Sequence, residues 1–369
     1  MNLLQNKQFY RLAGRTTWQH DVLYLGYSAS YIEFTVKGGS VSAGFLTTSY
    51  PEGEEFLAWV AVFLNGAAEP MMRFPLRKER EEILLYEAMT PEQTVTIRIM
   101  KYSEAAFSLL GIESIEVTGE VLPPPKARPF RLEFIGDSIT CGYGIEGIAE
   151  KDVFTTMQEN PWHAYACKVA EALQAEFELI SWSGNGIISH YIEPSVEEPG
   201  KEEALIPALY PYTDMILEQR MGRKESEYTV WDTQDFHPDV VVLHLGTNDC
   251  SYTRRIPERN AVFQKAYLEF ITYLHHANPH AQIICMIGAM QQELNETIED
   301  AVIQLQAAGK QYVHYLEVPP QRPEDGLGTD YHPSQVTQDK MAELLISCIK
   351  SVSCHFVKKG CIINQATKG

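Results

Sequence analysis

From residue 131 onwards, short apolar runs alternate with segments of helical periodicity, and this alternation limits the possible folds more than any other feature. The sequence predicts strands at 131–135, 177–182, 239–245, 282–287 and 312–316, and helices at 161–174, 203–220, 258–277, 294–308 and 335–350. Alternating strands and helices are typical of a parallel sheet that helices cover on both faces. We therefore expect an α/β fold, a three-layer αβα sandwich, over residues 131–353.

The first 122 residues have the periodicity of strands instead. Apolar or alternating runs occur at 30–37, 40–46, 56–64, 82–86, 94–100 and 112–118. The run at 30–37 alternates except at Tyr31 and Ile32, where two apolar residues are adjacent. Asn65-Gly66, directly after one run, is a strong hairpin-turn signal. Many short strands with turn residues between them predict a β-sandwich over residues 1–122.

A proline-rich segment separates the two patterns. Four prolines lie within 121–129, and they favour an extended, semi-rigid connection. We expect a linker at 123–130 and a tail at 354–369.

Composition excludes several classes of partner. The formal net charge of −19 argues against nucleic acid or an anionic membrane as the main partner. No apolar run approaches the roughly 18 residues of a membrane-spanning helix, and residues 1–10 lack the pattern of a signal peptide, so we expect a cytoplasmic protein. Seven cysteines without C-x-x-C spacing predict free thiols rather than a disulfide framework or a zinc site. They are Cys141, Cys167, Cys250, Cys285, Cys348, Cys354 and Cys361. We expect no metal and no cofactor.

A serine follows the first predicted strand of the α/β part. Gly136-Asp137-Ser138 makes a sharp turn directly after residues 131–135. This position places the side chain in the crevice where α/β sheets bind ligands. Taken alone, the motif also suits a turn that caps a helix. A serine nucleophile needs a base.

Two further loops follow predicted strands. Ser181-Trp-Ser-Gly-Asn-Gly186 is rich in small residues and can present backbone N–H groups to a ligand. Gly246-Thr-Asn-Asp249 ends the apolar run at 239–245, and the Asn248 amide there can donate to a developing oxyanion. A plain βα turn and an Asx turn are the respective alternatives.

A histidine stands just ahead of the last predicted helix. In Asp330-Tyr-His-Pro333, His332 can act as a base, and Asp330, two residues earlier, can fix its tautomer. Pro333 suits a helix start. Because each of the four motifs lies at a strand end or before a helix, together they predict one site.

These motifs resemble the four blocks of the SGNH (GDSL-type) hydrolase superfamily over about residues 131–350. The matching residues are Ser138, Gly184, Asn248 and His332, with Asp330 beside the histidine. The β-structure in front is similar to the arrangement in carbohydrate esterase family 2, where a jelly-roll domain precedes the hydrolase domain. That family removes acetyl groups from plant-polysaccharide sugars, and some members lack the triad aspartate.

The resemblance implies a function and a mechanism. Ser138 would be the nucleophile, His332 the base and Asp330 the residue that orients it. The oxyanion hole would comprise the Ser138 and Gly184 N–H groups and the Asn248 amide, with Gly186 as the alternative glycine. The expected activity is a metal-independent acetyl esterase on O-acetylated oligosaccharides or polysaccharides, such as acetylxylan.

Several alternatives remain open at this stage. The same scaffold suits a lipid or general short-chain acyl ester hydrolase, or an acetyltransferase, and a sugar-binding protein with an inactive hydrolase domain is a further class. For sugar contacts, the aromatic candidates are Trp182, before the Gly184 loop, and Tyr331, between Asp330 and His332. The sequence does not predict the sugar, the acetyl position or the oligomeric state.

Overall fold

The structure is a computed structural model that describes residues 1–49, 53–198 and 204–353. Its strands are β1 Tyr10–Ala13, β2 Thr16–Gln19, β3 Val22–Leu25, β4 Tyr31–Lys37, β5 Ser40–Ser49, β6 Trp59–Leu64, β7 Met72–Pro75, β8 Arg80–Glu87, β9 Thr94–Lys101, β10 Ser108–Val117, β11 Glu120–Leu122, β12 Phe130–Gly136, β13 Ala175–Ser181, β14 Val240–His244, β15 Gln282–Ala289 and β16 Val313–Pro320. The α-helices are α1 Ser138–Cys141, α2 Tyr165–Ala172, α3 Ile206–Leu209, α4 Met215–Arg220, α5 Thr247–Thr253, α6 Pro257–Ala277, α7 Asn295–Ala307 and α8 Gln335–Val352. Short 3₁₀ turns lie at Leu3–Gln5, Lys7–Phe9, Glu54–Phe56, Thr156–Gln158, Glu225–Glu227, Pro323–Asp325 and Thr329–Tyr331.

The N-terminal part is a sandwich of two antiparallel sheets. One has the strand order β1-β4-β9-β6-β7, with β11 also paired to β4, and the other has the order β2-β3-β10-β5-β8. Side chains from both sheets, among them Ile32, Phe34, Phe45 and Ile112, form the core between them. This arrangement confirms the β-sandwich that the alternating runs predict.

The second part is a parallel sheet in three layers. Its strand order is β13-β12-β14-β15-β16, and the neighbouring strands are parallel. Residues of α2 and α8 share an apolar cluster with one face of the sheet. Residues of α6 and α7 share a second cluster with the other face. The predicted αβα sandwich is therefore confirmed.

The first sheet of the sandwich packs on the α/β part. Tyr31 belongs to the same buried cluster as Phe130 and Phe134, and its ring centroid lies 6.1 Å from that of Phe177. This second buried face explains why Tyr31 and Ile32 break the alternation, because β4 is covered on both sides. Arg15 is also buried between the two parts. It lies 3.6 Å from both Glu133 and Glu178, and it donates to the carbonyl oxygens of Tyr210 and Tyr212 at 2.5 and 2.8 Å.

One predicted helix is wrong. In place of a helix over 203–220, the chain forms the short helices α3 and α4. Pro211 lacks the N–H that a continuous helix would use, and Asp214 caps α4 by accepting from the N–H of Leu217 at 3.0 Å. Short α5, directly after β14, was not predicted.

Two further expectations, based on composition, concern the cysteines and membrane-spanning helices. Five cysteines of the described ranges are free, whereas Cys354 and Cys361 lie in the predicted tail, outside those ranges. Within the described ranges, no helix has the length and apolarity needed to cross a membrane.

Candidate active site

The site lies at the carboxyl ends of the central strands. The chain runs from β12 to β13 on one side of the sheet and from β14 to β15 on the other, so the connections after β12 and β14 diverge. Open α/β sheets bind ligands at such a switch point. Ser138 opens α1 directly after β12, and Asn248 lies in the first turn of α5 after β14. Local chain order therefore brings the two motifs to one crevice.

Ser138 and His332 are in hydrogen-bond contact. Their Oγ and Nε2 atoms are 2.8 Å apart, and His332 Nδ1 lies 3.1 Å from the carbonyl oxygen of Thr329. Because a carbonyl oxygen only accepts, Nδ1 carries the proton and Nε2 accepts from the serine hydroxyl. Burial lowers the pKa of His332 to about 4. The imidazole is thus neutral at pH 7, the state that a general base requires.

Asp330, which was expected to orient His332, has a different hydrogen-bond partner in this structure. The carboxylate accepts from the Tyr143 hydroxyl at 2.8 Å, and the imidazole N–H goes to the Thr329 carbonyl instead. The backbone explains this arrangement: Asp330 and Tyr331 have φ of +51° and +60°, so the turn directs the carbonyl of residue 329 to the histidine. The tautomer is fixed by main chain and not by a carboxylate.

Ser138, Gly184 and Asn248, which the sequence analysis assigns to an oxyanion hole, line one cavity. Ser138 is the first residue of α1, so its N–H has no acceptor within the helical turn. Gly184 lines the same cavity, with φ of +79°. Asn248 Nδ2 donates to the carbonyl oxygen of Asn185 at 2.8 Å and lies 3.3 Å from Asp137 Oδ2. The structure thus brings the predicted donors together around Ser138.

The aspartates of two motifs have positions that the sequence analysis did not assign. Asp137 accepts from the Ile139 N–H at 3.0 Å and caps α1. Asp249 accepts from the N–H groups of Ile187, Ile188 and Ser189. Burial raises the pKa of Asp137 to about 7 and that of Asp249 to about 6. Asp137 and Asp249 are sequence neighbours of the predicted site residues Ser138 and Asn248. This adjacency was the sequence signal that could have indicated their place in the site.

The two glycines of the second motif differ in role. A Cβ added to Gly186 would lie 2.2 Å from Asp249 Oδ2, so residue 186 must be small for Asp249 to reach the loop. Around Gly184, a Cβ would meet no atom within 4 Å. Gly184, and not the alternative Gly186, is the glycine that lines the cavity.

The cavity has a volume of about 1090 Å³. Its walls include Tyr143, Tyr191, Met290 and Tyr331, of which Tyr191 and Tyr331 are half exposed. Tyr331 thus lies where a substrate contact was expected. Trp182 is not among the lining residues and packs against the core on the α6 face of the sheet. Trp182 therefore does not line this cavity, and its expected substrate contact stays a prediction.

One buried group has the composition of a metal site. Oxygen and sulfur atoms of Glu104, Cys141 and Glu159 lie within 4.8 Å of one another. However, both carboxylate oxygens of Glu104 accept from Ser183, and the Cys141 thiol donates to Ser181. Two of the three members of this group, Glu104 and Cys141, are thus engaged in internal hydrogen bonds. Sequence reasoning missed the group because its members are far apart along the chain.

Sequence comparisons match both parts of the chain. The model of the GDSL-like Lipase/Acylhydrolase family matches residues 134–340, which is more than half of the chain. The Carbohydrate esterase 2 N-terminal model matches residues 12–125.

Individual relatives agree with these matches. The cellulase/esterase CelE of Acetivibrio thermocellus is 34% identical over 303 residues, which cover 79% of this chain and 34% of that protein, so this chain spans about a third of that relative's length. An acetylxylan esterase/glucomannan deacetylase of Cellvibrio japonicus is 24% identical over 93% of this chain and 88% of its own length. A family two carbohydrate esterase from Clostridium thermocellum, solved in complex with cellohexaose, is similar with a TM-score of 0.80 and 28% identity, over 93% of this chain and 98% of that chain.

Proposed function

The chain belongs to the GDSL-like lipase/acylhydrolase family, and on this premise we propose that it is a serine esterase that removes acetyl groups from O-acetylated carbohydrates. The observation that carries the proposal is the 2.8 Å contact between Ser138 Oγ and the unprotonated Nε2 of His332. This pair stands beside three oxyanion donors in one cavity, an arrangement that suits acyl transfer.

In the first half-reaction, Ser138 Oγ attacks the acetyl carbonyl carbon while its proton passes to His332 Nε2. The carbonyl oxygen becomes an oxyanion, which accepts from the N–H groups of Ser138 and Gly184 and from the Asn248 amide. The 3.3 Å contact between Asn248 and Asp137 is long for a hydrogen bond, so this amide hydrogen can turn to the oxyanion. As the oxyanion collapses, the bond between the carbonyl carbon and the sugar oxygen breaks, and the imidazolium protonates that oxygen. The sugar leaves with a free hydroxyl, and an acetyl-serine remains.

Water completes the second half-reaction. His332 Nε2 takes a proton from water as the oxygen attacks the acetyl-serine, and the same donors hold the second oxyanion. Collapse returns the proton to Ser138 Oγ and releases acetate. Throughout, the Thr329 carbonyl stabilises the imidazolium through Nδ1–H, in the place that a carboxylate occupies in Ser-His-Asp enzymes.

The carbohydrate assignment has two supports. The relatives are esterases and deacetylases of polysaccharides by name, and the match extends over the N-terminal sandwich as well as the hydrolase part. In addition, the half-exposed rings of Tyr191 and Tyr331 both belong to the cavity wall. Sugar rings pack well on such amphipathic aromatic faces.

A substrate panel tests the proposal. It comprises acetylated xylo-oligosaccharides, acetylated monosaccharides and a series of aryl esters from acetate to octanoate, with Ser138→Ala as the inactive control. We expect acetate release from the oligosaccharides and the highest kcat/KM for acetyl among the aryl esters. If kcat/KM stays level or rises with acyl length, the lipid-esterase alternative replaces this proposal.

The structural reason for the acetyl preference differs from the sequence-based one. Ile187 is buried in the core and Ile188 packs against it, as Trp182 does, so none of these side chains narrows the acyl site. The preference therefore depends on lining residues such as Tyr143 and Met290.

A further inference from the structure

A carboxylate from the N-terminal sandwich contacts the loop at 181–186, which carries Gly184 and is here called the oxyanion loop. Glu104 lies between β9 and β10, and its side chain is fully buried. Its Oε2 accepts from the backbone N–H of Ser183 at 2.7 Å, and its Oε1 accepts from the Ser183 hydroxyl. Ser183 directly precedes Gly184. One bidentate contact therefore joins the sandwich to the residue beside the proposed oxyanion donor.

Packing contributes little to the position of Gly184. A Cβ built there would meet no atom within 4 Å, and glycine is free to adopt many backbone conformations. Hydrogen bonds must therefore hold the loop. Tyr191 N–H donates to the Gly184 carbonyl at 2.7 Å after the glycine, and Glu104 binds Ser183 before it. Asn185 N–H adds a longer contact to the Trp182 carbonyl at 3.3 Å.

The surroundings of Glu104 act on its ionisation in opposite directions. Burial raises the pKa of both Glu104 and Glu159, but the two Ser183 donors and the nearby Lys101 favour ionisation of Glu104. The charge of Glu104 further raises the pKa of Glu159. Ionisation of Glu104 would make its hydrogen bonds to Ser183 about twice as strong as neutral ones.

The segment that carries Glu104 is itself held firmly. Lys101 Nζ donates to the carbonyl oxygens of Gly26 and Ser103 at 2.8 and 2.6 Å, on the N-terminal side of Glu104. On the other side, the Phe107 ring lies 5.1 Å from that of Phe56. Contacts within the sandwich therefore hold the turn that carries Glu104 on both of its sides.

From this geometry we infer that Glu104 is a positioning residue of the active site, which holds the Gly184 N–H toward the oxyanion through Ser183. The inference rests on the proposed esterase function. It gives the N-terminal sandwich a part in catalysis, because the sandwich supplies the carboxylate that orders the oxyanion loop.

The test compares Glu104→Leu, Glu104→Gln and the control Glu176→Leu. Glu176 is also a largely buried glutamate, and it bonds Arg11 of the sandwich at 2.8 Å, but it lies at the opposite end of β13. Aryl acetate hydrolysis is measured per active serine, titrated with an aryl phosphonate, so that misfolded protein does not count. Inhibition by phenylboronic acid is measured in parallel, because its tetrahedral adduct places an oxygen in the oxyanion hole.

We expect Glu104→Leu to lower kcat by about 10- to 100-fold with KM within about threefold, and to weaken boronate inhibition by a similar factor. Glu104→Gln retains one acceptor oxygen and should recover part of the loss, whereas Glu176→Leu should keep kcat within about twofold. If Glu104→Leu does not fold, a three- to tenfold loss of kcat in Glu104→Gln is the expected result.

Two results would overturn the inference while leaving the esterase function intact: kcat and boronate affinity unchanged in the folded Glu104 variants, or equal losses in Glu176→Leu. An inactive wild-type protein, by contrast, would refute the proposed function and this inference with it.

Discussion

His332 Nδ1 lies 3.1 Å from the Thr329 carbonyl oxygen, so a backbone group holds the imidazole. A carbonyl cannot change its protonation state, and it fixes the tautomer as firmly as a carboxylate does. It carries only a partial charge, however, so it stabilises the imidazolium less. In this geometry, Ser138 and His332 form a hydrogen-bonded pair, and the main chain holds the imidazole.

Asp330→Asn should have a small effect. The Asp330 side chain bonds Tyr143 and not the imidazole, so we expect kcat on an aryl acetate to fall by less than about tenfold. Loss of a true triad aspartate lowers kcat by about 10⁴-fold. Steady-state kinetics distinguish the two outcomes, with His332→Ala as the reference for full loss. A drop near that reference would mean that Asp330 turns to the histidine in the working enzyme.

The acid limb of the kcat/KM profile against pH should lie well below the ordinary pKa of histidine. Only neutral His332 can act as a base, and burial lowers its pKa to about 4, so activity should persist down to about pH 5 and then decline. The charge of Asp330 raises this pKa, so Asp330→Asn should move the limb to lower pH. The measurement is kcat/KM from pH 4 to 8 in both proteins. A limb near 6 to 7 that does not respond to Asp330→Asn would instead indicate titration of Asp137 or Asp249.

Asn248→Ala should lower kcat strongly with little change in KM. The amide stabilises charge that develops only in the transition state, and removal of one such donor costs about 10²–10³-fold in kcat. Asn248 also donates to the Asn185 carbonyl, so a thermal melt must accompany the kinetics. A folded variant with near wild-type kcat would exclude the amide from the oxyanion hole.

Arg15→Met should destabilise the whole chain. At pH 8 it leaves the Glu133 and Glu178 carboxylates buried without their cation, and removal of one partner of a buried ion pair costs about 3–5 kcal/mol. Arg80→Met, which breaks an exposed pair with Glu113, is the control and should melt close to wild type.

The loss of folding stability in Arg15→Met should also depend on pH. Burial raises the pKa of Glu178 to about 8, so its folded state binds a proton more readily than its unfolded state. The contribution of the Glu178 carboxyl to folding stability is therefore present at low pH, and it is lost as pH rises through 8 and the carboxyl ionises. The variant should therefore melt closer to wild type at pH 5 than at pH 8, and equal deficits at both would contradict the assignment.

The sequence alone was sufficient for the architecture and the place of the site. Strand and helix periods are local properties, so the β-sandwich, the αβα sandwich and the strand ends at Ser138 and Asn248 could be predicted. Carboxyl ends of parallel strands meet at one edge of a sheet. Motifs that follow different strands therefore converge even when they lie far apart along the chain.

Only the tertiary structure determined which atoms of the site contact one another. Asp330 and Thr329 are neighbours in sequence, and only the positive φ at residues 330 and 331 directs the Thr329 carbonyl to the imidazole. A side chain at a strand end can face either crevice or core, and Trp182 faces the core. Glu104 meets Ser183 across 79 residues of chain, a contact that no local pattern encodes, because it depends on how the two parts pack.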